Sequence, residues 1–184
     1  MSDYTIEQLA QMLYQKMEDA GYRKGTDKTK WREVVMAEKL GHMAYATISS
    51  GKDSEFYGSD AITEDGLAEY KTITIEDKHL RNLNGEKKKN GNQYAAYNVV
   101  GVYNGYNGNR DKAHDKYSQI DHYFGVFYKE KCLKVIKVKR SEVIRQLETN
   151  YWAYVAKGKK GTTNCNQVRV SLADTHLYEE VYAN

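Results

Sequence analysis

An aspartate, a glutamate and a lysine share one short stretch, SDAITEDGLAEYKTI: they are Asp60, Glu69 and Lys71. Carboxylates are hard oxygen donors, and two of them held close repel one another, a repulsion that a divalent cation relieves. A lysine beside them can hold or polarise a water against that cation, so the three residue types together suit metal-assisted hydrolysis. The turn Glu64-Asp65-Gly66 separates Asp60 from the other two. Its glycine can take the positive φ that a tight hairpin needs. Side chains alternate faces along a strand, which puts Glu69 and Lys71 on one side and Tyr70 on the other. The nearby acids Asp53 and Asp65 fall in loops and are poor ligand candidates.

A hairpin can present these groups only if other elements bury its far face. TIEQLAQMLYQKMED, residues 5 to 19, has Ile6, Leu9, Leu13 and Met17 at helical spacing, with Gly21 as a stop signal. After the polar connector GYRKGTDKTK, a second helix is expected through WREVVMAEKL to Gly41. HMAYATIS, EFYGSDAIT and LAEYKTITI read as three strands, and RNLNGEKKKNGNQ as an exposed loop. YNVVGVY is a further strand candidate, YNGYNGNRD a turn and DKAHDKYSQI a short helix. Two strands, HYFGVFY and CLKVIKVK, lead to the helix SEVIRQLETN with Ser141 as its N-cap, then a basic loop, KGKKGTTNCNQ, and a strand, VRVSL. The expectation is one α/β domain over residues 1–184, with a mixed central β-sheet flanked by helices.

The hairpin resembles the active site of the PD-(D/E)XK nucleases, type II restriction endonucleases in particular, in which an Asp precedes a Glu-X-Lys triplet across a β-turn. Here Asp60 is followed by Glu69-Tyr70-Lys71, and Ser59 stands where the proline of the name would be. The resemblance implies a restriction-endonuclease-like core of a helix, three antiparallel strands, a helix and a further strand. The order of elements from about residue 30 to 128 matches it, and the catalytic core is expected over about 30–140. It also implies that Asp60, Glu69 and a backbone carbonyl near Tyr70 bind Mg²⁺, with Mn²⁺ as a substitute, while Lys71 orients the attacking water. Duplex DNA would be cut to leave 5′-phosphate and 3′-hydroxyl ends. Many members add an acid from the first core helix. Projecting WREVVMAEKLG at about 100° per residue puts Glu38 on the apolar stripe with Trp31 and Val34, so Glu38 is the expected helix carboxylate, with Glu33 in reserve.

Composition bounds the partners. The 184 residues suit one core. No run of about 18 apolar residues is present to span a bilayer, and the amphipathic, acidic start lacks the features of a secretory signal, so a cytoplasmic, membrane-free protein is expected. Cys132 and Cys165 have no CxxC pairing and read as reduced structural thiols. His122, at the start of a strand, could face the DNA or the active site, although such a histidine is more often a packed residue with a satisfied ring. The net charge is only +3, so clusters matter more than the total. Candidate DNA contacts are Lys87, Lys88 and Lys89; Asn104, Asn107 and Arg110; and Lys157, Lys159, Lys160, Asn164, Asn166 and Gln167. They combine charge for phosphates with side chains that can read base edges. Glycine and asparagine are equally turn formers, and surface lysines equally a solvated face. A homodimer is expected, because cutting two strands with one site per chain calls for two copies. Two other readings remain open on sequence: a structure-selective nuclease such as a Holliday-junction resolvase, and a catalytically inert DNA-binding protein of the same fold.

Overall fold

A computed structural model of the chain describes residues 4–19, 27–44, 59–84, 86–92, 97–106, 108–158 and 166–184. Helices α1 (Ile6–Asp19) and α2 (Asp27–Leu40) precede the short strands β1 (Met43–Ala44) and β2 (Ala61–Thr63) and the long β3 (Gly66–Thr74). Then come α3 (Asp77–Leu83), β4 (Asn98–Val102), α4 (Arg110–Gln119), β5 (Asp121–Tyr128), β6 (Lys131–Val138), α5 (Arg140–Ala156), β7 (Gln167–Ser171) and, after a 3₁₀ turn at Thr175–Leu177, β8 (Tyr178–Ala183).

Six strands form one sheet in the order β1-β2-β3-β5-β6-β8. It is mixed, as expected: β3 and β5 run parallel, and the other neighbours are antiparallel. A parallel pair cannot be joined by a tight turn, so the chain leaves the sheet between β3 and β5 and returns through α3, β4 and α4. β4 pairs with β7 in a separate two-stranded sheet. The chain is thus an α/β protein with helices on both faces of its main sheet. Among the described residues no helix is long and apolar enough to cross a membrane.

The alternation of side chains divides the core in two. Ala68, Tyr70, Tyr123, Phe127 and Val135 face α1 and α2, while Phe124, Val126, Ile136 and Val138 face α4, α5 and the β4–β7 pair. α2 lies so close to the sheet that a Cβ at Gly125 would sit 2.5 Å from Met36 Sδ. α2 stops where Gly41 takes φ +68°. The His42 N–H donates to the Ala37 carbonyl at 2.9 Å and the Gly41 N–H to Glu38 at 3.4 Å, the pairing of a Schellman cap.

Four elements differ from the sequence expectation. α2 begins at Asp27, so the last four residues of the supposed connector are helical. Residues 81–83 of the supposed loop belong to α3, which has no buried residue and so offers no apolar period to read. Ser141 is not the N-cap of α5: the helix begins at Arg140, Lys139 caps it through its main chain, and the helix continues to Ala156. The Lys139 carbonyl accepts from the N–H groups of Glu142 and Val143, while its own N–H donates to Leu177, so the chain turns directly out of β6. β8 was not expected at all. It is an outer strand with no buried residue, and the consecutive glutamates Glu179 and Glu180 break its alternation. Gly21, Asp53 and Cys165 lie outside the described residues.

Candidate active site

The hairpin forms as the turn residues require. Gly66, at φ +136°, opens β3, and Ala61, Ile62 and Thr63 pair with Ala68, Leu67 and Gly66. Asp60 sits one residue before β2. Its N–H donates to the Ala68 carbonyl at 2.9 Å, and its Oδ2 accepts the Tyr70 N–H at 2.8 Å, so both main chain and side chain are tied to β3. Glu69 and Lys71 share a face of β3, with Lys71 Nζ donating to Glu69 Oε1 at 2.5 Å. Tyr70 turns its ring to the other face, where its hydroxyl meets His42 Nδ1 at 2.7 Å. Asp65 is exposed in the turn.

Asp60, Glu69, Tyr70 and Lys71 border one cleft of about 1180 Å³. Its far wall is β4 with the loop and helix that follow: Val100–Val102, Asn104, Gly105, Gly108, Asn109, Lys112 and Lys116. The acid that α2 contributes is Glu33, 5 % exposed, and not Glu38, which is exposed at the helix surface. The projection failed because it took Trp31 as apolar anchor, and Trp31 is 44 % exposed. The buried arc is centred instead on Met36 and Ala37, and Glu33 lies three and four positions before them on the same face.

Crowding of carboxylates sets the electrostatics. Burial first, then the charges of Glu69 and Glu33, push the Asp60 carboxyl up to about 7, against the smaller opposing pull of Lys71 and the Tyr70 N–H. Glu69 Oε2 is buried without a directed hydrogen bond, although Lys116 Nζ stands 3.3 Å away as an ion pair. The donor set is therefore all oxygen, partly unsatisfied and over-rich in negative charge, which fits a hard divalent cation. Among the described residues no three His, Cys, Asp or Glu side chains are gathered into a metal cage. Mg²⁺ needs none, since it keeps several waters and takes one or two protein carboxylates.

Lys71 is held by Glu69, by Tyr103 and by the β4 backbone. Its ammonium stands 4.9 Å from the centre of the Tyr103 ring. Tyr103 is held in turn by His122, fully buried, whose Nε2 lies 2.8 Å from the Tyr117 carbonyl and whose Nδ1 lies 3.3 Å from the Tyr103 hydroxyl. A carbonyl can only accept, so Nε2 carries the proton and Nδ1 accepts from Tyr103. Burial keeps the ring neutral, lowering its pKa to about 4. His122 is thus a packed histidine with both nitrogens satisfied, as its sequence context suggested. The third wall is β4: a Cβ at Gly101 would lie 2.8 Å from Lys71 Cγ and 2.7 Å from Phe124 Cε1. Gly101→Ala is expected to cost about 1–3 kcal/mol by overpacking against Lys71 and Phe124, as urea unfolding would show. An unchanged midpoint would refute the tight fit.

The proposed DNA contacts are not brought together as a set. Asn104 borders the cleft. Arg110 points its guanidinium at Glu148, through Nε at 2.9 Å and Nη2 at 2.5 Å, and also pairs with Asp111. That grip fastens the start of α4 to α5. Lys87, Lys88 and Lys89 are exposed on a turn closed by the Asn92 carbonyl accepting from the Lys88 N–H, and they do not line the cleft. Lys157 is exposed just past α5. Asn166 accepts the Tyr103 N–H through its carbonyl, and Gln167 pairs with Val102 in the β4–β7 ladder. Asn107, Lys159, Lys160 and Asn164 lie outside the described residues. The basic rim of the cleft comes instead from Lys112 and Lys116 on α4, which the sequence reading passed over. The available signal was their helical i, i+4 spacing, one position from the apolar pair Ala113 and Tyr117.

No protein-family model matches the sequence, and no curated protein matches it either.

Proposed function

We propose that the chain is a Mg²⁺-dependent endonuclease that hydrolyses phosphodiester bonds of double-stranded DNA, sequence-specifically, in the manner of the type II restriction endonucleases its hairpin resembles. The observation that supports this reading is the pair of carboxylates, Asp60 and Glu69, set on one hairpin in a cleft beside the Lys71 ammonium. Asp60, Glu69 and the Tyr70 carbonyl would hold the cation, which when bound supplies charge stabilisation to the phosphate and makes a bound water more acidic. Mn²⁺ is the expected substitute.

Lys71, clamped by Tyr103 and the β4 backbone, orients the attacking water with its N–H groups. The water oxygen bonds to phosphorus, the bond to the 3′ oxygen breaks, and a proton reaches that oxygen, leaving a 5′-phosphate and a 3′-hydroxyl. Lys112 and Lys116 on the rim attract phosphates. Asn104 and Asn109 present groups able to meet phosphate or base edges. Two such chains acting as a homodimer would cut both strands.

Digesting a long defined duplex with Mg²⁺ and sequencing the ends tests the proposal. Discrete fragments with 5′-phosphates are expected. Cutting confined to branched DNA would transfer the reading to a junction resolvase, and no cutting with Mg²⁺ or Mn²⁺ would end it. The helix acid is tested in the same assay: Glu33→Gln should slow cutting by about 10-fold or more, as expected for a group that tunes the reacting charges, while Glu38→Gln should leave the rate unchanged. Equal effects of the two substitutions would count against the assignment to Glu33.

A further inference from the structure

Glu69 is 5 % exposed, and a carboxylate so buried needs compensating charge. Two lysines supply it from different elements. Lys71 lies along β3, donates a 2.5 Å hydrogen bond to Oε1 and is bordered by Tyr103 and Gly101. Lys116 reaches in from α4, a helix of 10 residues on the cleft rim. Its Nζ forms an ion pair with Oε2 at 3.3 Å, an oxygen that accepts no hydrogen bond among the described residues, and stands 4.7 Å from the centre of the Tyr117 ring. Lys71 belongs to the sheet under the cleft, and Lys116 to the helix that borders it.

We propose that Lys116 is a displaceable latch on the metal site: it occupies the charge position at Glu69 Oε2 in the free protein and moves to a DNA phosphate when substrate enters, freeing that oxygen for Mg²⁺. The inference rests on the metal-dependent reading of Asp60 and Glu69 and adds a means of regulating that site. An ammonium within 3.3 Å of a carboxylate oxygen competes with a cation for the same lone pairs and repels it besides. Oε2 is the suitable oxygen, since Lys71 already uses Oε1. Lys116 lines the cleft beside Lys112, within reach of a phosphate that enters it. Because coupling is reciprocal, DNA that draws Lys116 away raises metal affinity, and metal in turn raises affinity for DNA. The free protein would then carry little metal, and the hydrolytic centre would assemble mainly on substrate.

Mn²⁺ titration of the DNA-free protein, followed by the electron paramagnetic resonance of the free ion, reads the latch without any turnover. Lys116→Met is expected to bind Mn²⁺ about 10-fold more tightly than wild type, and Lys116→Arg, which keeps the charge, to stay near wild type. Asp60→Asn, alone or combined with Lys116→Met, should lose the site. Circular dichroism establishes that each variant folds, and Lys116→Gln takes the place of Lys116→Met if the latter does not. Unchanged or weaker Mn²⁺ binding on removal of the lysine, with binding still sensitive to Asp60→Asn, overturns the latch and leaves the site reading intact. Binding insensitive to Asp60→Asn in every variant overturns the site reading itself, and the latch with it.

Discussion

Asp60→Ala and Lys71→Ala are each expected to lower Mg²⁺-dependent cutting of duplex DNA by about 10³-fold or more, the scale seen when one charge-stabilising group is removed from a pre-organised site. The two losses arise differently. Without Asp60 the hairpin keeps only one of its two carboxylates, and the Tyr70 N–H loses its acceptor at 2.8 Å. Without Lys71 the carboxylates remain, but Glu69 Oε1 loses its short ammonium contact and the water loses its orienting donor. DNA binding should respond in opposite directions. On the proposed reading Asp60→Ala relieves carboxylate charge in a cleft that would accept phosphates, so retention of a labelled duplex in a gel-shift assay without divalent metal should be equal or stronger. Lys71→Ala should weaken it slightly, because Lys112 and Lys116 on the rim remain. Full activity in either variant would sink the site assignment.

The parts of this arrangement that were legible in the sequence are those that depend on local geometry. A turn glycine between two alternating segments sets a hairpin, and period-two alternation puts Glu69 and Lys71 on one face whatever surrounds them. The mixed sheet followed from the order of strands and helices. What was not legible depends on contacts distant in sequence. Glu33 and Glu38 both sit in a well-formed helix, and only the position of the sheet beneath it decides which is buried. Exposed Trp31 misled the projection, since aromatic size is a guide to burial only when a partner surface lies under it. Arg110 looked like a base reader in a glycine- and asparagine-rich loop, whereas Glu148, on α5, claims it. Lys116 looked like ordinary helix charge and became part of the site only because α4 crosses back over β3 before β5 pairs with it.

Crowded carboxylates also make the metal-free protein sensitive to pH, and the sign follows from Asp60. Its carboxyl is raised from 3.8 to about 7 in the folded chain, chiefly by burial and then by Glu69 and Glu33. The folded state therefore binds this proton more tightly than the unfolded state does. The stabilisation is complete below about pH 4, declines as pH rises through the window up to about 7, and is gone above it. A tenfold difference in proton affinity between the folded and unfolded chain is worth about 1.4 kcal/mol, so the rise from 3.8 to about 7 makes the change across this window on the order of 4 kcal/mol. Asp60→Asn keeps an oxygen for the Tyr70 N–H but cannot titrate, so it should lack this dependence. Without metal, the unfolding free energy of Asp60→Asn relative to wild type should rise between pH 4 and 8 by that amount, read from urea denaturation at each pH. Saturating Mg²⁺ should restore wild type at the alkaline end, because a ligand that binds only the folded chain adds RT ln(1 + [L]/Kd) to its stability. It should do nothing for Asp60→Asn. A difference between the two proteins that stays flat with pH would mean that Asp60 carries no such proton, and that the three carboxylates are less tightly opposed than their shared cleft implies.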